Sequence, residues 1–192
     1  MMQGTNGETR EVIKYIPIDS IGAEIGVWKA ASSLRFLSKA KHLHMVDPWR
    51  LSVYDKEDTG WVGRTYQGVL DHNTPMIGSN DPVAVQEYYE EVYAEVCEKV
   101  KEYPATVYRE TSDEWFKRDI KLDWIYIDGD HSYDGCYRDL TNALNVTNDT
   151  IFCDDYNVPH HEGVRFAIND FCSDNKLTPI PLCKNQCMIK LC

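Results

Sequence analysis

Three short runs of this chain carry residues whose types and spacing can do chemistry. The most loaded is Asp123-Trp124-Ile125-Tyr126-Ile127-Asp128-Gly129-Asp130-His131-Ser132-Tyr133, where an apolar stretch ends on a carboxylate and a histidine follows three residues later. A second run, Ile151-Phe152-Cys153-Asp154-Asp155-Tyr156, also passes from apolar residues into carboxylates. If both are parallel strands, their ends open into one crevice. Asp128, Asp154 and Asp155 are then candidates to hold one divalent cation, most naturally Mg2+, through hard oxygen ligands. The alternative is that these acids cap the helices that follow. The third run, from Ala23 through Gly26 to Ser32, reads as a strand, a small-residue turn and a helix start. Such a turn lets a backbone approach a ligand and offers it free N–H groups. Asp47 ends the next strand about twenty residues after Gly26, where an acid can bind the ribose hydroxyls of a nucleoside. A dehydrogenase places an acid there too, but it wants a GxGxxG turn, and the chain has none.

Elements that position such residues are legible as an alternation of apolar runs and amphipathic stretches. This is the pattern of an α/β fold: a single Rossmann-like doubly wound sheet, mostly parallel, with helices on both faces. Strands are expected at 22–26, 42–47, 105–110, 123–128 and 150–154. A last pair, 178–183 and 186–191, is close enough to form a C-terminal antiparallel hairpin. Helices are expected from Ser32 or Ser33 to Lys39, over 83–102, over 133–144 and over 162–171. In the second of these, Val85, Tyr89, Val92, Val96, Val100 and Tyr103 recur at steps of three and four, and Asp81-Pro82 is a suitable start. Residues 51–80 break the pattern. They hold Gly60, Gly63, Gly68, Pro75 and Gly78 and no clean period, and read as a loop inserted at the carboxyl edge, a lid or substrate segment within one domain spanning 1–192.

Bulk properties narrow the classes. The chain has 192 residues, enough for one α/β domain, and its 43% apolar content suffices for a packed interior. A formal net charge of −11 without a Lys/Arg cluster argues against a nucleic-acid partner, and no apolar run approaches membrane-spanning length. Seven cysteines at loose spacings, without a CxxC pair, suit a reduced cytoplasm better than a disulfide framework. Cys183, Cys187 and Cys192 are the closest group. Other residues have plain readings: Trp28, Trp49 and Trp61 as core or pocket lining, His42 and His44 as an exposed strand face, His160 and His161 as a loop beside the carboxylates.

Taken together, Glu24-Ile25-Gly26-Val27-Trp28, Val46-Asp47-Pro48-Trp49, Ile127-Asp128-Gly129-Asp130-His131-Ser132-Tyr133 and Cys153-Asp154-Asp155-Tyr156 resemble the class I S-adenosylmethionine-dependent methyltransferases. The resemblance runs from about 13 to 191 and is closest to the branch holding catechol O-methyltransferase-like and macrolide-sugar O-methyltransferases. It implies that Glu24 and Gly26 line the methionine end of S-adenosylmethionine, Asp47 its ribose and Ser112 its adenine, with Asp128 also at the cofactor. It implies Mg2+ at Asp128, Asp154 and Asp155, and His131 as catalytic base for a small-molecule hydroxyl acceptor such as a sugar or catechol. Ala30-Ala31 depart from the family, which prefers glycines there. A homo-oligomer stays open. So do two other readings, a different nucleotide-using enzyme such as a dehydrogenase and a non-catalytic S-adenosylmethionine-binding protein.

Overall fold

The structure, a computed structural model, describes residues 9–54, 66–182 and 185–191. Seven strands form one sheet: β1 (Ser20–Ile25), β2 (Ala40–Val46), β3 (Ala105–Tyr108), β4 (Leu122–Ile127), β5 (Thr147–Cys153), β6 (Pro179–Pro181) and β7 (Cys187–Lys190). Their order across the sheet is β3-β2-β1-β4-β5-β7-β6. β1 to β5 are mutually parallel, and β7 runs antiparallel to both β5 and β6. The expected sheet and its C-terminal antiparallel pair are both present. The chain winds outward from β1 in one direction through β2 and β3, then returns to β4 on the other side. That reversal leaves a crevice at the carboxyl ends of β1 and β4.

Side chains of β4 and β5 alternate between two cores. Trp124, Tyr126 and Phe152 face one layer with Phe36; Ile125, Ile127, Ile151 and Cys153 face the other. Gly22 in β1 makes room for the Trp124 indole, since a Cβ there would lie 2.2 Å from the ring. The helices are α1 (Thr9–Tyr15), α2 (Ser33–Phe36), α3 (Tyr66–Ile77), α4 (Pro82–Val100), α5 (Ser112–Trp115), α6 (Tyr133–Val146) and α7 (Glu162–Asp174). In α4 the expected stripe Val85, Tyr89, Val92, Val96 and Val100 is buried, with Pro82 in the first turn and Asp81 accepting from Val83 N at 2.8 Å. Tyr103 lies past the helix end and is exposed.

Two expectations need correction. The described part of 51–80 is not structureless: a 3-10 turn spans Leu51–Val53, and α3 buries Val69, Leu70 and Asn73. Pro75 lies in the last turn of α3, which ends at Ile77, and Gly78 just beyond takes a positive φ of 73°. His42 and His44 are half-buried, not an exposed face; they meet Thr106 Oγ1 and Tyr108 Oη on β3, each at 3.0 Å. Burial, with the neighbouring His42, pushes the His44 imidazole down to about 4. Trp49 is core, whereas Trp28 is partly exposed and meets Tyr88 and Tyr89 of α4 edge-on. Residues 55–65, with Trp61, and Cys183 and Cys192 lie outside the described residues. Among the described residues no helix is long and apolar enough to cross a membrane, and the cysteines are unpaired.

Candidate active site

Backbone bonds continue the parallel ladder one residue past the strands. Gly26 N donates to Val46 O (2.9 Å), Asp47 N to Tyr108 O (3.1 Å), Asp128 N to Ile25 O (2.8 Å) and Asp154 N to Ile127 O (3.0 Å). The residues that the sequence singles out therefore stand side by side along one edge, in the order Asp47, Gly26, Asp128, Asp154. Gly26 has φ 87°, and a Cβ on it would lie 1.9 Å from Asp128 O, so only glycine allows β1 and β4 to approach there.

Asp47 organises the turn after β1. Its Oδ2 accepts from Val27 N (3.1 Å) and Trp28 N (2.9 Å), and its Oδ1 from Trp49 N (2.9 Å). Three non-glycine residues around it, Trp28, Ala30 and Trp49, hold left-handed φ values of 47°, 62° and 40°. The alanine found where glycine is preferred thus still adopts the glycine-like conformation, and its N–H donates to Val27 O at 2.9 Å. Burial pushes the Asp47 carboxyl up, while its three N–H donors pull it down. A carboxylate has about four acceptor positions, so one remains on Oδ1. Glu24 is wholly buried and accepts from the hydroxyls of Ser32 and Ser33 at the start of α2. Burial raises its carboxyl to about 8, against the pull of the two serines.

The turn after β4 separates its side chains by task. Asp130 Oδ1 accepts from Ser132 N (2.9 Å), and Ser132 Oγ from Gly135 N (3.0 Å), which starts α6. Asp128 and His131 are left facing each other, with Oδ1 3.3 Å from Nε2. His131 Nδ1 is buried, has no hydrogen-bond partner, and lies 3.5 Å from Asp155 Oδ2. The same Asp155 oxygen touches His161 Nδ1, and the two imidazole centroids are 4.4 Å apart. Gly163 lets the start of α7 lie against this turn; a Cβ there would be 2.9 Å from Tyr133 N. Burial, then the nearby His131, lowers the His161 imidazole, although Asp155 pulls it upward.

Asp154 goes elsewhere. It is 6% exposed; its Oδ2 accepts from Tyr126 Oη (2.8 Å), its Oδ1 from Asp155 N (3.0 Å), and Gln186 Nε2 donates to the same tyrosine hydroxyl. Burial, and then Asp128 and Asp155, hold its carboxyl well above the usual range. The expected Mg2+ ligands Asp128, Asp154 and Asp155 stand near enough for the first and third to act on the second, but they are not a group whose ligand atoms all lie within 4.8 Å of one another. Among the described residues, the group of possible ligands lying within 4.8 Å of one another is His131, Asp155 and His161. Asp155 takes φ 57°, and its carboxylate meets His131 and His161, whereas that of Asp154 meets Tyr126. Of the two loop histidines, His161 joins the site and His160 is exposed.

Ser112 stands in the first turn of α5 beside the cap Thr111, and its hydroxyl serves Asp139 of α6. Asp139 is 1% exposed; burial raises its carboxyl to about 7, and its Oδ1 has no hydrogen-bond partner. Sequence reasoning missed Asp139 because it reads as a polar position inside a helix. A cavity of about 540 Å³ opens between Leu51, Tyr54, Tyr66 and the first half of α4. None of the strand-end carboxylates lines it.

Comparison with known proteins decides the family. A model described as a methyltransferase domain matches residues 23–156, well over half of the chain and the carboxyl ends of β1 to β5. The chain belongs to that family. No curated protein matches this methyltransferase. Its fold is similar to magnesium protoporphyrin IX methyltransferase from Synechocystis PCC 6803 with bound SAM (TM-score 0.60, 8% identity, 96% of this chain and 78% of that one). It is similar to the N-methyltransferase NodS from Bradyrhizobium japonicum in complex with S-adenosyl-L-homocysteine (TM-score 0.58, 10% identity, 96% and 83%). An rRNA methylase from Streptococcus thermophilus shares the fold at TM-score 0.56 and 6% identity, over 95% and 92%. At such identities the likeness concerns the fold, which is that of the class I methyltransferases. The family match removes the dehydrogenase alternative. The catechol and macrolide-sugar branch is not singled out by any of these comparisons.

Proposed function

We propose that the protein is an S-adenosylmethionine-dependent O-methyltransferase that acts on a hydroxyl of a small molecule, sugar or catechol-like, with His131 as general base. The observation that carries this reading is the His131 imidazole, set between Asp128 and Asp155 at the ends of β4 and β5. With its proton on Nε2, toward Asp128, the ring would have Nδ1, which has no hydrogen-bond partner, as its accepting nitrogen.

The cofactor is supported by the Gly26 turn, the spare acceptor on Asp47 and the buried Glu24, together with the solved relatives that hold SAM or its demethylated product. When bound, S-adenosylmethionine supplies an electrophilic methyl carbon on its sulfonium centre. An aliphatic hydroxyl is a weak nucleophile, and His131 Nδ1 accepts its proton as the new O–C bond forms and the C–S pair returns to sulfur. Asp128 and Asp155 stabilise the resulting imidazolium. Asp128, Asp154 and Asp155 would hold Mg2+ if it were bound, and the ion would make an acceptor hydroxyl easier to deprotonate; no step is assigned to it.

Incubation with S-adenosylmethionine and a panel of hydroxylated metabolites should give a methyl ether. His131→Ala should lower kcat by about 10²–10⁴-fold and leave affinity for the demethylated cofactor nearly unchanged. A product methylated on nitrogen or carbon, or wild-type turnover in the variant, would reject the reading.

A further inference from the structure

We propose that His131, Asp155 and His161 form a binding site for one divalent transition-metal ion of the Zn2+, Co2+ or Ni2+ kind. One ligand atom from each residue lies within 4.8 Å of the other two. His131 Nδ1 and Asp155 Oδ2 are 3.5 Å apart, close to the roughly 3.4 Å that separates two tetrahedral ligands each about 2.1 Å from a metal. Nδ1 is also a buried nitrogen with no hydrogen-bond partner, which protein interiors rarely leave unused.

The surroundings resemble the support given to a ligating histidine. Such a ring usually donates its other N–H to a carboxylate, which fixes the tautomer and aims the lone pair. Here Asp128 Oδ1 stands 3.3 Å from Nε2 of His131 and fills that part. His161 directs Nδ1 at the same Asp155 oxygen, and the two rings are tilted by 36° with centroids 4.4 Å apart. An ion entering between them takes over the His161–Asp155 contact, and the His161 proton moves to Nε2. Two imidazoles and one carboxylate select a transition metal over Mg2+, which prefers an all-oxygen octahedron. Side-chain exposures of 13–17% leave the group reachable from solvent, and three protein ligands leave a coordination position open.

The site shares His131 with the reading above but does not rest on it: Nδ1 holds either the ion or the acceptor's proton. The test therefore uses neither cofactor nor acceptor. Tag-free, chelator-stripped protein is titrated with Co2+ and followed by visible absorption. One Co2+ per chain should bind with ligand-field bands, be displaced by Zn2+, and resist Mg2+ at equal concentration. Asp128→Asn should weaken Co2+ binding by about 10–100-fold, and His161→Gln and Asp155→Asn by more. His160→Gln, at an exposed neighbour, should bind as the wild type. Each variant is matched to wild type by circular dichroism. Should His161→Gln not fold, the wild-type Co2+ protein decides alone, through two contact-shifted imidazole N–H resonances in its proton NMR spectrum. Absence of bands, wild-type affinity in folded His161→Gln, displacement by Mg2+, or absence of those resonances would overturn the site.

Discussion

A single carboxylate, Asp47, ties the turn that follows β1 while facing the edge where a nucleoside would lie. It accepts three backbone N–H bonds and is surrounded by left-handed Trp28, Ala30 and Trp49, so the turn has little to hold it once the carboxylate is gone. Hydrogen bonds to a charged acceptor contribute about 1.5–3 kcal/mol each, with strong non-additivity within one group. Asp47→Ala should therefore lower unfolding stability by on the order of 3 kcal/mol in urea titration, and abolish calorimetric binding of S-adenosylhomocysteine. Unchanged stability would mean that the turn is held by packing alone.

At the scale of elements, what matters is how closely strand ends and helix starts approach. β1 and β4 meet at Gly26, where a methyl group would collide with a carbonyl oxygen, and backbone atoms cannot give way as a flexible side chain can. Gly26→Ala should cost more than about 3 kcal/mol, read as a fall in melting temperature, and should remove cofactor binding with it. A variant as stable as wild type would show that the two strand ends can separate. Near α7, Gly163 has the same function of close approach, and it is what brings His161 to His131.

The whole molecule carries a linkage between protonation and folding. Glu24, with an ordinary value of 4.5, is raised to about 8, and Asp139, ordinarily 3.8, to about 7, both chiefly by burial. Between the unfolded and folded values the native state binds more protons than the unfolded chain, so stability falls as pH rises. The contribution of both acids is fully present below about pH 4 and is lost as pH climbs through about 7 and 8. The net charge of −11 near neutrality adds self-repulsion of the same sign. The cofactor-free protein should melt at lower temperature at alkaline than at mildly acidic pH, and Glu24→Gln or Asp139→Asn should flatten that slope. A profile that rises with pH, or is untouched by both substitutions, would contradict the burial argument.

Hydrophobic period and strand-end chemistry are local, so the sequence by itself determined the sheet, the stripe of α4 and the edge on which Asp47, Gly26 and Asp128 stand. Helix α3 was hidden because Gly68 and Pro75 read as turn formers, and only packing of Val69 and Leu70 into the core under α4 outweighs them. The short α5 was findable from Thr111 and Glu114, spaced as a capping box, which the structure forms. The direction of each acid was not legible. Asp154 and Asp155 are adjacent and chemically alike, yet one enters a buried network with Tyr126 and Gln186 while the other turns toward two histidines. Asp155 takes a left-handed φ, and the first turn of α7 packs close to the β4 turn where a glycine leaves room. Such contacts join residues from 6 to 60 positions apart, and no periodicity within either segment encodes them; tertiary packing alone decided which side chains form the site.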